Sequence, residues 1–164
     1  MDVDDLDTLV RQQLPALLRY AAALTGDRDL AGDVVQEVLL RVHSRWRRIA
    51  LLERPDLYLR RMVTNEVTSW RRRWHVRTVR PASAEVLAAR AAPLPDHADR
   101  VADHDALGRA LAELTARQRS VVVLRYYEGL DDGEIAQVLG TSRATVRSHA
   151  SHALAALRTA PEVQ

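Results

Sequence analysis

Apolar residues in the first half of the chain recur every three or four positions, which is the period of an amphipathic helix. The clearest run is Leu30, Val34, Val35, Val38, Leu39 and Val42. The pattern predicts helices over about Asp5–Leu24, Leu30–Arg48 and Asp56–Val76. Gly26 is expected to end the first with a left-handed cap, Asp27 or Asp29 to cap the second, and Pro55 to start the third. The buried stripe of the third helix is predicted at Leu57, Leu59, Met62, Val63 and Val67.

The second half also shows helical spacing, punctuated by cap signals. A helix is predicted over about Asp105–Leu114, followed by one that Thr115 and Gln118 open as a capping box and Gly129 closes. That helix carries Val121, Val122, Leu124 and Tyr127. Asp131 with Glu134 forms a second capping box, Gly140 ends that helix, and Thr141 or Ser142 caps a last helix to about Arg158.

The two halves are joined by a stretch rich in Pro, Ala and Asp, with prolines at 81, 93 and 95. We expect a flexible linker over residues 81–104, with one short helix at about Ala84–Ala91. The predicted fold class is therefore all-α, with two small helical domains at residues 1–80 and 105–164.

Composition supports a helical, intracellular protein. Hydrophobic residues make up 47% of the 164, aromatic residues only 4%, and there is no Cys, so disulfides and thiolate metal sites are excluded. No apolar run reaches the roughly 18 residues of a membrane span, and the acidic start MDVDDLD is unlike a signal peptide. We expect a cytoplasmic protein without direct membrane insertion.

Charge is distributed unevenly, although the net charge is only +2 and every basic residue is Arg. Residues Arg41–Arg80 hold twelve Arg against three acids, a net of +9, whereas Pro81–Leu107 carries a net of −3. A basic block of this size indicates a polyanionic partner for the first domain.

The stretch EIAQVLGTSRATVRS, residues 134–148, has the pattern of a helix-turn-helix. Ala136 is small enough for a close helix crossing, Gly140 suits a left-handed turn, and Val146 can pack against Ile135 and Leu139. The second helix would then present its N-terminal polar residues to base edges in the major groove. An ordinary helical hairpin is the alternative that this stretch alone leaves open.

Three blocks in order resemble one family. Residues 121–158, VVVLRYYEGLDDGEIAQVLGTSRATVRSHASHALAALR, resemble the C-terminal region of extracytoplasmic-function sigma factors, a two-domain class of bacterial RNA polymerase subunits. DLAGDVVQEVLLRVHSRW resembles their core-binding helix, and LYLRRMVTNEVTSWRRRW resembles the helix that melts and reads the −10 element. Within this class, the sequence most resembles the actinobacterial type. The resemblance implies sigma region 2 at residues 1–80 and sigma region 4 at 105–164.

For the first domain, the resemblance implies polymerase and −10 contacts. Asp33, Gln36 and Glu37 match the motif that docks on the β′ clamp helices, although periodicity alone favours a solvated helix face. Strand opening needs cations for phosphates and aromatic faces for bases. The candidates for −10 binding are Arg60, Arg61, Asn65, Trp70, Arg71, Arg72, Arg73, Trp74 and Arg77. Asn65 matches a flipped-base pocket and residues 50–54 match the specificity loop, while core packing stays an equal alternative for both tryptophans.

For the second domain, the resemblance implies −35 recognition and a grip on the β flap. The candidates for −35 binding are Ser142, Arg143, Thr145, Arg147, Ser148, His149 and His152. Histidine is mostly neutral at pH 7, so His149 and His152 should attract DNA more weakly than the arginines the family often has there. Val121, Leu124 and Tyr127 would form the flap-binding surface or simply belong to the core.

Other functions fit the sequence less well. His97, Asp99, Asp103, His104 and Asp105 resemble a metal cluster but lie in the predicted linker without fixed geometry, so we expect no metal and no cofactor. No nucleophile elbow or phosphate loop is present, which argues against an enzyme. A stand-alone repressor or activator, a small metal-dependent hydrolase and an RNA-binding regulator remain as rivals. The resemblance further implies promoter DNA, RNA polymerase core and an anti-sigma protein as partners.

Overall fold

A computed structural model describes residues 3–78 and 106–159 of the chain. Within these ranges the secondary structure is entirely helical, as the sequence predicts, and no strand occurs. The N-terminal helices are α1 (Val3–Thr25), α2 (Arg28–Ser44), α3 (Trp46–Ile49) and α4 (Pro55–Thr78). The C-terminal helices are α5 (residues 106–112), α6 (Ala116–Val122), α7 (Asp132–Leu139) and α8 (Arg143–Thr159), with a π-helical turn at Val123–Tyr127. The predicted linker and its short helix lie outside the described residues.

The N-terminal half is a bundle in which α1, α2 and α4 pack against one another. Leu57, Leu59, Val63 and Val67 of α4 are buried as the spacing predicts, whereas Met62 is only half-buried at the edge of the stripe. Each fully buried aliphatic side chain contributes about 1.5–3 kcal/mol relative to exposure. The bundle is therefore held mainly by aliphatic packing.

The second helix is shorter than its sequence pattern predicts. It ends at Ser44 because Arg45 leaves the helical region, with φ −117° and ψ 13°, and the chain restarts as α3. This break turns Ile49 into the core, where it is 1% exposed. The N-terminus of α2 is as expected: Asp27 accepts hydrogen bonds from the amides of Asp29 and Leu30.

The C-terminal half confirms both predicted capping boxes but not a regular helix through Tyr127. The α-helical part ends at Val122, and the backbone widens so that the Glu128 amide donates to the Val123 carbonyl at 3.0 Å. Such turns insert one residue into the helical repeat and rotate the residues that follow. Tyr126 and Tyr127 are consequently 59% exposed, whereas Val121 and Leu124 are fully buried.

The two halves share one hydrophobic core. Buried side chains of α1, α2 and α4 form a connected cluster with those of α6, α7 and α8. Helix α4 lies against α7, and α1 lies against α6 and the π-helical turn. None of the described helices is both long and apolar enough to cross a membrane.

Gly140 provides a direct test of the turn between α7 and α8. Its backbone is left-handed, with φ 62° and ψ 44°, a conformation that costs residues with a Cβ atom about 1 kcal/mol. We expect Gly140→Ala to lower the free energy of unfolding by about this amount in urea titrations. Gly108 is the matched control, since it lies in α5 with open space around it and its alanine variant should gain about 0.5–1 kcal/mol. Equal effects at the two sites would contradict the turn geometry.

Candidate nucleic-acid interface

The turn between α7 and α8 forms a helix-turn-helix. Ile135 and Val146 are fully buried and Ala136 is 9% exposed, so the two helices cross closely. Asp131 caps α7 by accepting from the amides of Gly133 and Glu134, and these hydrogen bonds lower the pKa of its carboxyl. Local sequence signals therefore position the second helix.

Helix α8 presents a polar N-terminal face. Ser142, Arg143, Arg147, Ser148 and His152 are exposed, while Thr145 and His149 are half-buried. The Ser142 hydroxyl accepts from the Thr145 amide at 3.1 Å and therefore caps the helix. Exposed guanidinium groups on the first two turns suit phosphate oxygens or guanine edges. The predicted −35 residues are thus brought together on one helix and its N-cap.

The arginines of α4 fall into different environments. Arg61 and Arg72 are exposed, whereas Arg71 is half-buried and donates to the carbonyl of Leu24. Arg60 is buried, with only 10% of its side chain accessible. Asn65 is exposed on the same helix, and the side chain of Arg77 lies outside the described residues. The predicted −10 cations therefore do not form one uniform surface.

Glu66 organises a buried network beside this helix. Its side chain is 5% exposed and its two oxygens lie 2.7 Å from Arg41 and 2.8 Å from Arg73. Burial acts to raise the pKa of the Glu66 carboxyl, but hydrogen bonds from Arg73 and Arg41 outweigh it and hold that pKa below its ordinary value. The network joins α2 to α4 and fixes Arg73 near the C-terminal part of α4.

Trp70 and Trp74 stack on each other. Their ring centroids are 5.5 Å apart and their planes differ by 13°. Both side chains are half-buried. They are therefore neither fully buried core residues nor a fully exposed surface for base stacking, which were the two alternatives that the sequence left open. Parallel rings at this spacing form an offset stack onto which a further planar group can add.

Helix α2 carries the predicted polymerase-binding residues on its exposed side. Asp33, Gln36 and Glu37 are all exposed, and Glu37 pairs with Arg41 at 3.0 Å. Next to them an apolar groove of about 400 Å³ opens between α1 and α2. It is lined by Leu14, Leu18, Gly32, Val35, Gln36, Leu39, Leu40 and His43. Leu40 is 61% exposed at this groove. The sequence did not lead us to predict an exposed leucine here, although α2 contains one leucine more than a single buried stripe requires.

Comparison with known proteins decides the family. The chain matches Sigma-70 region 2 over residues 9–77 and Sigma-70, region 4 over residues 104–157. It is 38% identical to the RNA polymerase sigma-E factor of Streptomyces coelicolor over 157 residues, covering 96% of this chain and 86% of that protein. The chain belongs to the sigma-70 family. It is of the extracytoplasmic-function type, as the resemblance of its motifs indicates.

Further proteins to which this chain is similar are also sigma factors. The ECF RNA polymerase sigma factor SigL of Mycobacterium tuberculosis is 34% identical over 151 residues, with coverage of 92% of this chain and 85% of that one. Among solved structures, the sigma factor RpoE in complex with the anti-sigma factor NepR from Bartonella quintana matches with a TM-score of 0.82 at 22% identity over 99% of both chains. The all-α fold with sigma regions 2 and 4 is therefore confirmed.

The His and Asp residues between positions 97 and 105, which resemble a metal cluster in the sequence, lie outside the residues that the structure describes. Within residues 3–78 and 106–159, no group of three or more His, Asp or Glu side chains could hold a metal ion. The residues of the predicted flap-binding surface differ in exposure: Val121 and Leu124 belong to the core, whereas Tyr127 faces solvent beside Tyr126.

Proposed function

We propose that this sigma factor binds the RNA polymerase core and directs promoter-specific initiation through −10 melting and −35 recognition. The observation that carries the proposal is the order of its parts: a cationic helix with stacked tryptophans in region 2 and a helix-turn-helix in region 4. Bond formation would stay with the polymerase, so the chain itself would be no enzyme and need no cofactor. It would act in the cytoplasm, where polymerase and promoters are.

We assign the −35 contacts to the exposed N-terminal face of α8 and the −10 contacts to α4 with the loop before it. The region boundaries at residues 1–80 and 105–164, with a linker at 81–104, fit the extent of the two family matches. In vitro transcription from a promoter library, with and without this chain added to core polymerase, tests the assignment. Transcripts that do not depend on the chain would contradict it.

The exposed acidic side of α2, with the apolar groove beside it, is the proposed docking site for the β′ clamp helices. Charged groups flanking an apolar groove give orientation and burial together. The exposed Tyr126 and Tyr127 are the proposed contact for the β flap. An anti-sigma protein is also proposed as a partner, since the matched RpoE is a sigma factor held by one.

Asp33→Arg is expected to weaken binding to the polymerase core about tenfold, because it replaces an acidic group of the proposed docking face with a cation. Asp33 is exposed on α2, so the change should leave folding intact. The measurement is fluorescence anisotropy of labelled chain titrated with core enzyme. Glu113→Arg makes the same charge change at an exposed site of region 4 and should bind normally. A loss of affinity shared by both variants would point to net charge instead of a docking face.

A further inference from the structure

Gly133 lies in the first turn of α7, where the backbone conformation does not require a glycine. Of the six glycines in the chain, three have a left-handed backbone and two others have open space where a Cβ atom would lie. Gly133 belongs to neither group. A glycine inside a helix is less stable than alanine there, because its backbone loses more freedom on folding. A helical glycine of this kind indicates the close approach of another group.

The group that approaches Gly133 is the guanidinium of Arg143, in the first turn of α8. A Cβ atom added at Gly133 would lie 2.7 Å from Nη2, 3.0 Å from Nε and 3.1 Å from Cζ of Arg143. Nonbonded heavy atoms normally lie about 3.5–4.0 Å apart. The guanidinium therefore occupies the place of the missing side chain, and any larger residue at position 133 would displace it.

The backbone at Arg143 is held by the N-cap of α8. Ser142 Oγ accepts from the Thr145 amide at 3.1 Å, and the Ser142 carbonyl accepts from the Val146 amide at 3.0 Å. The Arg143 side chain is thus held at both ends, by the cap at its Cα atom and by contact with Gly133 at its guanidinium. An arginine that is already ordered loses less rotamer freedom when it binds DNA.

An acidic group at the start of α7 favours the same position of Arg143. Asp131 Oδ1 accepts from the amides of Gly133 and Glu134 at 2.7 Å and 2.9 Å, so its carboxylate is fixed beside the glycine. The hydrogen bonds from Glu134 and Gly133 and, to a lesser degree, the charge of Arg143 lower the pKa of the Asp131 carboxyl. The same attraction keeps the Arg143 cation near the first turn of α7.

Arg147, the next exposed arginine of α8, is held less closely. Its Nη1 lies 4.0 Å from Oδ2 of Asp132, at the limit of an ion pair, while Oδ1 of Asp132 pairs with Arg125. A loosely held arginine suits phosphates, whose contacts orient a protein without reading the sequence. A fixed planar guanidinium suits the edge of a base, where two hydrogen bonds must form together. Base selectivity is therefore expected from Arg143.

We propose that Gly133 is a positioning residue for −35 recognition, because its missing side chain holds the Arg143 guanidinium in the orientation that reads a base pair. Gly133 itself does not touch DNA in this proposal and acts through Arg143. The inference rests on the −35 role proposed above for α8. A side chain at position 133 would leave Arg143 as a cation without a fixed direction.

The test is the base selectivity of transcription by core polymerase with the full-length chain. Each −35 base pair is varied in turn in a promoter whose transcription depends on the chain, and selectivity is the ratio of transcript from the best base pair to transcript from the others. We expect Gly133→Ala to lower selectivity about tenfold at those −35 positions where Arg143→Ala also lowers it, since a bidentate base contact discriminates by roughly this factor. Gly108→Ala makes the same change in open space and should match the wild type at every position.

Further variants separate positioning from a structural role. In the Arg143→Ala background, Gly133→Ala should cause no further loss of selectivity, since the group that it displaces is absent. Arg143→Lys keeps the charge without the planar fork, so it should retain binding to −35 DNA and lose selectivity. The displaced group is the flexible end of an exposed side chain and alanine favours a helix, so the melting temperature of Gly133→Ala should not fall below that of the wild type.

Four outcomes would overturn the role of Gly133. They are full selectivity in Gly133→Ala, an equal loss at every −35 position, a further loss of the same size in the Arg143→Ala background, and a melting temperature well below that of the wild type. Transcription that does not depend on the chain would instead contradict the proposed function. Chain-dependent transcription with normal selectivity in Gly133→Ala would leave that function standing and remove only the role of Gly133.

Discussion

Replacing Trp70 and Trp74 together with alanine is expected to slow promoter opening about 30-fold, while binding to the −35 element persists. The two rings form one offset stack, half-buried in α4, that can support an unpaired base. Stacking of a base on an aromatic side chain contributes about 1–3 kcal/mol, and a loss of ~2 kcal/mol corresponds to this factor. The measurement is the rate of permanganate reactivity of promoter thymines in the presence of core polymerase.

Two controls separate base stacking from a general loss of structure. The double tyrosine variant, Trp70→Tyr with Trp74→Tyr, keeps aromatic faces and should recover most of the rate. A promoter with a pre-melted −10 bubble should partly rescue the alanine variant, since the strands no longer need to be separated. Normal opening by the alanine variant would remove the tryptophans from the melting step, and equal loss in the tyrosine variant would indicate that they serve packing.

The features that sequence alone predicted correctly are local ones. The capping boxes at Thr115 and Asp131 depend on residues three positions apart, and the left-handed turn at Gly140 depends on one residue. The helix-turn-helix follows from such short-range signals plus a periodic core. For the same reason, helical spacing was enough to place the −35 candidates together at one exposed helix end.

The features that sequence could not supply depend on distant partners. Arg60 and Glu128 form an ion pair although they are 68 positions apart in the sequence. No helical periodicity relates two residues that far apart. Sequence reasoning grouped Arg60 with Arg61, Arg72 and Arg73 as equivalent cations, yet one is buried, two are exposed and one is held by Glu66. The π-helical turn was equally hidden, because the sequence from Val121 to Tyr127 fits a regular helix.

The same distinction applies to the proposed interfaces. The positions of residues on one continuous helix face, such as Asp33 and Gln36 on α2, could be predicted from the spacing within that helix alone. Both side chains are exposed, as that spacing predicts. The apolar groove beside them needs α1 as its second wall, so it emerges only when the helices are packed. Partner surfaces built from two elements are therefore the part of this protein that the structure adds.

Above about pH 10, the free energy of unfolding is expected to fall by about 1.4 kcal/mol per pH unit because of a single group, Tyr20. This tyrosine is fully buried and its hydroxyl lies 2.8 Å from that of Thr64. The proton of Thr64 is given to the Arg60 carbonyl, so Tyr20 must donate to Thr64. Burial, which opposes the charged form, raises the pKa of Tyr20 well above its ordinary value, and the hydrogen bond with Thr64 only partly offsets this.

The direction of the effect follows from proton binding. Above about pH 10 the unfolded chain releases the tyrosine proton while the folded chain keeps it, so folding takes up a proton and weakens as pH rises. The stabilisation is complete below the unfolded pKa and is lost as pH rises toward the folded pKa. Because the chain has no Lys and no Cys, its four tyrosines are the only side chains that ordinarily titrate between about pH 9 and 12.

Tyr20→Phe is the decisive variant. It should cost about 1 kcal/mol at pH 8, through the lost hydrogen bond, and should remove the loss of about 2.3 kcal/mol that the wild type suffers between pH 10 and 12. Urea titrations at closely spaced pH values measure both effects, and Tyr126→Phe, at an exposed site, is the matched control that should keep the wild-type slope. Parallel pH curves for Tyr20→Phe and wild type would show that Tyr20 is not the group that limits alkaline stability.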